Sequence, residues 1–189
     1  MNKTRPAPDL WLLLCILGLL TIGMIMVYSA GSVLGFHDYG DSFYFVKRQM
    51  LFAGLGLVAM FFTANLDYHV WKKYAKAGLI ICFGLLIIVL IPGIGVVRGG
   101  ARSWLGISSF GIQPSEFMKL GMILFLSKWL SSENFNITAF GKGLLPPLGL
   151  IGLAFGLIMM QPDLGTGTVM LGASMMIVFT AGAKLSHLG

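Results

Sequence analysis

Charge is scarce in this chain. Charged residues make up 11% of its 189 positions, against roughly a quarter in an ordinary soluble domain. Cysteine is scarcer still. Cys15 and Cys82 are the two, and both fall inside apolar runs. That excludes a disulfide framework or a thiolate metal site and leaves them as small apolar side chains. The histidines, His37, His69 and His187, include no pair at metal-ligand spacing. There is no phosphate-binding P-loop, no Gly-x-Ser-x-Gly and no Cys/His cluster, so ATP-driven transport, serine hydrolysis and zinc chemistry have no support.

Apolar residues fill the space instead. They are 57% of the chain and come in blocks. Residues 10–36, 77–97, 143–162 and 164–183 carry no charge, and each is long enough to cross a bilayer, which takes about 20 residues. Residues 50–66 form a shorter candidate. Residues 113–130 are the exception, because they hold Glu116, Lys119 and Lys128. The expected fold is therefore all-α and polytopic, with six spans at about 10–31, 48–66, 75–97, 114–130, 143–161 and 164–183. A cytoplasmic tail, residues 1–9, precedes a single transmembrane domain over 10–189. Lys3 and Arg5 before an apolar run resemble a signal peptide, but the run exceeds the 7–15 residues of the usual signal core, so a retained first helix is expected.

The net charge of +6 does not point to nucleic acid, because the basic residues lie between spans rather than in one patch. They read as topology signals. With a cytoplasmic N-terminus, Lys3, Arg5, Lys72, Lys73, Lys76, Lys128, Lys142 and Lys184 lie inside, and Lys47, Arg48, Arg98, Arg102 and Lys119 outside. Eight against five favours that orientation.

Three stretches carry polar groups at apparent membrane depth: Gly100-Ala-Arg-Ser-Trp-Leu105, Gln113-Pro-Ser-Glu-Phe-Met-Lys119 and Gln161-Pro-Asp-Leu-Gly-Thr-Gly167. Such groups are expensive in lipid and default to function. Pro114 and Pro162 each suit the first position of a helix, which sets Glu116 and Asp163 in first turns near the positive end of the helix dipole. Acids also occur there for stability alone. Glu116 and Lys119, three apart, share a face and can pair, either to neutralise the span or to line a cavity. Arg98 and Arg102, in a glycine-rich outer loop, suit phosphate or carboxylate and equally lipid headgroups. Trp104 fits an interfacial anchor or a sugar-stacking platform. Gln113 and Gln161 can donate to sugar or phosphate, or satisfy helix ends.

In order and spacing these motifs, with Tyr28-Ser-Ala30 at the end of the first span, resemble the hallmarks of the SEDS family of shape, elongation, division and sporulation proteins. The chain resembles the division and sporulation branch more than the elongation branch. The resemblance implies a fold of about ten helices, of which this chain matches the N-terminal six. The chain is thus expected to be incomplete at its C-terminus and inactive alone, without the family's large outer loop and its further acid. It implies polymerisation of lipid II into glycan strands at the outer face of the bacterial cytoplasmic membrane. Undecaprenyl pyrophosphate leaves, and a class B penicillin-binding protein is the partner. It implies Asp163 and Glu116 as catalytic carboxylates, and Arg102, Lys119, Gln113, Gln161, Trp104 and Arg98 as substrate-binding groups. A divalent cation is left open as a cofactor, with no ligand cluster legible for one. Two other readings stand beside it: a lipid II flippase, with the charges lining a path, and a non-catalytic scaffold for the transpeptidase. The charges concentrate towards the outer side, which tilts the choice to surface catalysis.

Overall fold

A computed structural model describes residues 9–98, 100–106, 111–132, 135, 137 and 139–183; Lys3, Arg5 and Lys184 lie outside the described residues. Six α-helices are found among them: α1 (Leu10–Tyr39), α2 (Tyr44–Ala64), α3 (Tyr68–Leu90), α4 (Pro114–Leu130), α5 (Leu145–Met159) and α6 (Leu164–Thr180). A π-helical turn, Phe140–Leu144, leads into α5. Helices α1, α2 and α3 and the run Gly141–Met159 are long and apolar enough to cross a membrane. Helices α4 and α6, with 17 residues each, rise about 25 Å and reach the lower limit for a span. The chain is a multi-pass membrane protein with an all-α fold.

The chain divides into two compact units, residues 1–66 and 67–189. In the first, Asp9 caps α1, its carboxylate accepting from the Trp11 and Leu12 amides at 2.9 and 3.2 Å. The helix outlasts the expected span by eight residues, because nothing breaks it before Gly40, which stops it in the left-handed region at φ 70°. Trp11 and Val33 are each 79% exposed. Side chains of that size left uncovered all along α1 suit lipid rather than water.

Asp41 fixes the turn between α1 and α2. It accepts from Lys47 Nζ at 2.7 Å and from the Phe43 amide at 2.8 Å, and the Lys47 hydrogen bond, followed by that amide, holds its carboxyl below the usual range. The turn's support from Asp41 is therefore complete above the ordinary aspartate pKa and is lost as pH falls through the lowered one. Proteolysis of this turn should stay constant through neutral pH and rise only in strong acid. A rise beginning near pH 6 would contradict the assignment. Gly35, beneath the same turn, is buried, and a Cβ there would lie 2.8 Å from the Asp41 carbonyl oxygen. Gly35→Ala should cost about 1–3 kcal/mol, read as a lower unfolding midpoint in detergent. An unchanged midpoint would show that the turn gives way freely.

In the second unit, α3 begins at the Asp67 cap, whose carboxylate accepts from the His69 amide at 3.0 Å. Residues 67–74, expected to lie between the second and third spans, are thus the cap and first two turns of α3. Apolar positions at helical spacing face inward: Leu79, Cys82, Leu86 and Val89 of α3, Met118, Met122 and Leu126 of α4, Ile151, Ala154 and Ile158 of α5, Met170 and Val178 of α6. Lipid is as apolar as these side chains, so close packing rather than expulsion from water holds the helices together. Gly121 shows how close: a Cβ there would meet Cys82 Sγ at 3.1 Å.

Candidate functional site

The glycine-rich segment after α3 is not an irregular loop. It folds into an antiparallel hairpin, β1 (Val96–Arg98) and β2 (Ala101–Trp104), with Val97 opposite Arg102 and Arg98 opposite Ala101. Gly100 occupies the turn at φ 86°, a conformation that glycine adopts without strain. Beyond the hairpin, Leu105 and Ile112 exchange backbone hydrogen bonds at 2.8 and 2.7 Å. This bridge ties the start of α4 to the hairpin and delivers Gln113 to the end of the helix.

Pro114 takes the first position of α4, as its missing N–H allows. Pro162 does not take the corresponding place in α6. Asp163 is the N-cap, its Oδ1 accepting from the Thr166 amide at 3.1 Å, and Pro162 lies one residue outside the helix. The reason is the Asp-x-x-Thr spacing: a capping carboxylate accepts from an amide two or three residues further on, and Thr166 stands three beyond Asp163. Asp163 Oδ2 faces the other way and accepts from Gln113 Nε2 at 2.6 Å. The same amide lies 3.4 Å from Thr166 Oγ1. A carboxylate offers acceptors only, which orients the Gln113 amide nitrogen towards it. Residues 50 apart in sequence thus meet where two helix N-termini converge, and both dipoles favour negative charge there.

The other expected residues divide around this cluster. Lys119 Nζ donates to Glu116 Oε1 at 2.8 Å along α4, with Lys119 the more covered of the two. The pair lies one turn along from Gln113 and makes no hydrogen bond to Asp163 among the described residues. Arg102 and Trp104 lie half-buried on β2, and Arg102 has no ion-pair partner among the described residues. Arg98 ends β1, and its side chain lies outside the described part of the structure. Gln161 is completely buried and donates to the Leu86 carbonyl of α3 at 3.5 Å, so its amide points into the helix core. Thr166 joins the site unforeseen, and the capping spacing after Asp163 is the signal that would have found it. Ser115 is also buried beside Pro114. Among the described residues no three His, Cys, Asp or Glu side chains cluster as metal ligands.

The hairpin carries Arg102, and at the starts of α4 and α6 the Asp163 carboxylate is held by the Gln113 amide. The family model for cell cycle proteins of the FtsW, RodA and SpoVE type matches residues 10–189, and the chain belongs to that family. Stage V sporulation protein E of Bacillus subtilis (strain 168) is 54% identical over 187 residues, 99% of this chain and 51% of that protein. A Trichlorobacter lovleyi protein named probable peptidoglycan glycosyltransferase FtsW is 36% identical over 177 residues, 94% of this chain and 46% of its own length. The crystal structure of the Thermus thermophilus rod shape determining protein RodA matches with a TM-score of 0.68 at 30% identity, covering 88% of this chain and 55% of that one. A structure described as the structural coordination of polymerization and crosslinking by a peptidoglycan synthase complex matches with a TM-score of 0.65 at 28% identity, over 85% of this chain and 47% of that one. The chain spans about half the length of the curated relatives it matches.

Proposed function

We propose that the complete protein polymerises lipid II into glycan strands at the outer face of the bacterial cytoplasmic membrane, in division or spore cortex synthesis, with its N-terminus cytoplasmic and residues 10–189 as one transmembrane domain. The observation that carries this reading is the Gln113–Asp163–Thr166 cluster at paired helix starts, in a family whose relatives include a named peptidoglycan glycosyltransferase.

In the reaction, a sugar hydroxyl of the acceptor attacks the donor's anomeric carbon. The new C–O bond forms as the bond to undecaprenyl pyrophosphate breaks, and the leaving group departs with the electron pair. Asp163 meets the acceptor hydroxyl, whose proton passes to a carboxylate, and Gln113 holds Asp163 in orientation. Arg102 supplies positive charge to the departing pyrophosphate. Lys119 adds to it, kept in place by Glu116. Arg98 and Trp104 complete the substrate-facing hairpin, and Gln161 braces the start of α6 against α3 from within the core. A class B penicillin-binding protein is the partner, a reading supported by the polymerisation and crosslinking named for one structural relative.

The test is strand formation from fluorescent lipid II by the complete protein with its partner's transpeptidase blocked. Long strands support a polymerase. Their absence, with lipid II crossing the bilayer in the same liposomes, would favour the flippase.

A further inference from the structure

At the end of α4 away from Asp163 the structure holds an open cavity of about 290 Å³, lined by Lys72, Lys76, Phe125, Lys128, Trp129 and Ser132. Lys72 and Lys76 stand four apart on α3 and so share a face, as do Phe125 and Trp129 on α4. Trp129 is stiffened on both sides, its ring 5.5 Å from those of Phe125 and Phe135. The third lysine of that neighbourhood, Lys73, is turned away over the Tyr74 ring. Among the described residues the cavity is therefore lined by three lysines and by no carboxylate residue. None of the three has an ion-pair partner among the described residues. Three like charges around one hollow repel, and an anion between them relieves that cost.

Depth decides which anion. Lys76 is the last charge on α3 before fourteen uncharged residues, 77–90, and Lys128 is in the last turn of α4 before its polar exit. The lysines thus ring the level where hydrocarbon gives way to headgroups. An interfacial tryptophan and basic groups between helices are what a lipid phosphate meets there. The hollow is near the small end of ligand pockets, large enough for a headgroup and too small for a whole lipid.

We propose that this cavity binds the phosphate headgroup of an anionic phospholipid in the leaflet opposite the Asp163 cluster. The site is separate from the polymerisation chemistry and does not depend on it. The experiment is native mass spectrometry of the complete protein, delipidated in detergent and titrated with phosphatidylglycerol, with phosphatidylcholine and with inorganic phosphate.

One phosphatidylglycerol should bind well ahead of any phosphatidylcholine. The combined Lys72→Gln, Lys76→Gln, Lys128→Gln variant should weaken that first event about a hundredfold, and each single change about fivefold, at the usual worth of one surface lysine to an anionic lipid. The corresponding triple arginine variant should bind like the wild type, and the single variants carry the test if the triple glutamine protein does not fold. Equal binding of the two lipids, or phosphatidylglycerol binding unchanged in the glutamine variants, would overturn the proposal. So would inorganic phosphate binding as tightly as the lipid, which would make this a soluble-anion site. No first lipid at all would mean that the protein fills the hollow itself.

Discussion

Asp163→Asn in the complete protein should abolish strand formation while leaving the helix bundle folded. Asparagine caps a helix about as well as aspartate, so the Thr166 amide keeps its acceptor and α6 keeps its start. The Gln113 contact also survives in weakened form, since an amide oxygen still accepts, although the charge that made it a 2.6 Å bond is gone. What is lost is the one group in the cluster able to hold or take a proton. The expected fall in polymerisation is about 10²–10⁴-fold, read from fluorescent lipid II products on a gel, with an unfolding midpoint close to wild type. Asp163→Ala should lose the same activity and, in addition, about 1 kcal/mol of stability with the cap. Normal strands from a well-folded Asp163→Asn protein would reduce Asp163 to a helix cap and leave the proposed chemistry without its carboxylate.

The second large effect comes from a residue with no side chain. Gly95 leads from α3 into β1, and a Cβ there would run into the Val89 carbonyl oxygen and lie 2.8 Å from Arg102 Cγ. The nearest obstacle is backbone, which cannot swing aside as a side-chain tip would. Gly95→Ala must therefore pry the hairpin from the end of α3 and carry Arg102 with it. The expected cost is at least about 1–3 kcal/mol, together with a drop in strand formation through the displaced arginine. Gly100→Ala makes the contrast. Its φ of 86° disfavours a side chain, at about 1–2 kcal/mol, but a Cβ there meets no atom within 4 Å. Thermal unfolding and polymerisation of the two variants side by side give the ranking. Gly100→Ala proving the more damaging would mean that the close approach at Gly95 is not what holds the hairpin.

These two positions also show where reading the chain succeeds and where it stops. Asp163 stood out because a carboxylate in an apolar stretch is costly wherever the helices go. Its pairing with Gln113 did not. The bond from Gln113 joins residues 50 apart and exists only because α4 and α6 lie side by side with their N-termini level. Gln161 looked equivalent to Gln113, since both precede a proline. One faces the carboxylate and the other is buried against Leu86. Gln113 is the residue at the start of α4, whereas Gln161 stands two residues before the Asp163 cap of α6, and the shared Gln-Pro pattern does not show where each helix begins. Gly95 was one glycine among 26, and its importance arises from a single carbonyl approaching from the preceding helix.

The sequence alone determined the all-α membrane class, the six helices in order, the α4 bounds at 114 and 130 and the three polar stretches, because run length, scarcity of charge and prolines at helix starts act over a few residues at a time. Tertiary structure decided the hairpin at residues 96–104, the meeting of Gln113, Asp163 and Thr166, the burial of Gln161, and the joining of Lys72 and Lys76 with Lys128 and Trp129 around one cavity. Each of these depends on which helices are neighbours and on how each is turned about its axis. Those choices are made by packing among Leu86, Met118, Met122, Ile158 and Met170 in the core, over distances that no local pattern spans.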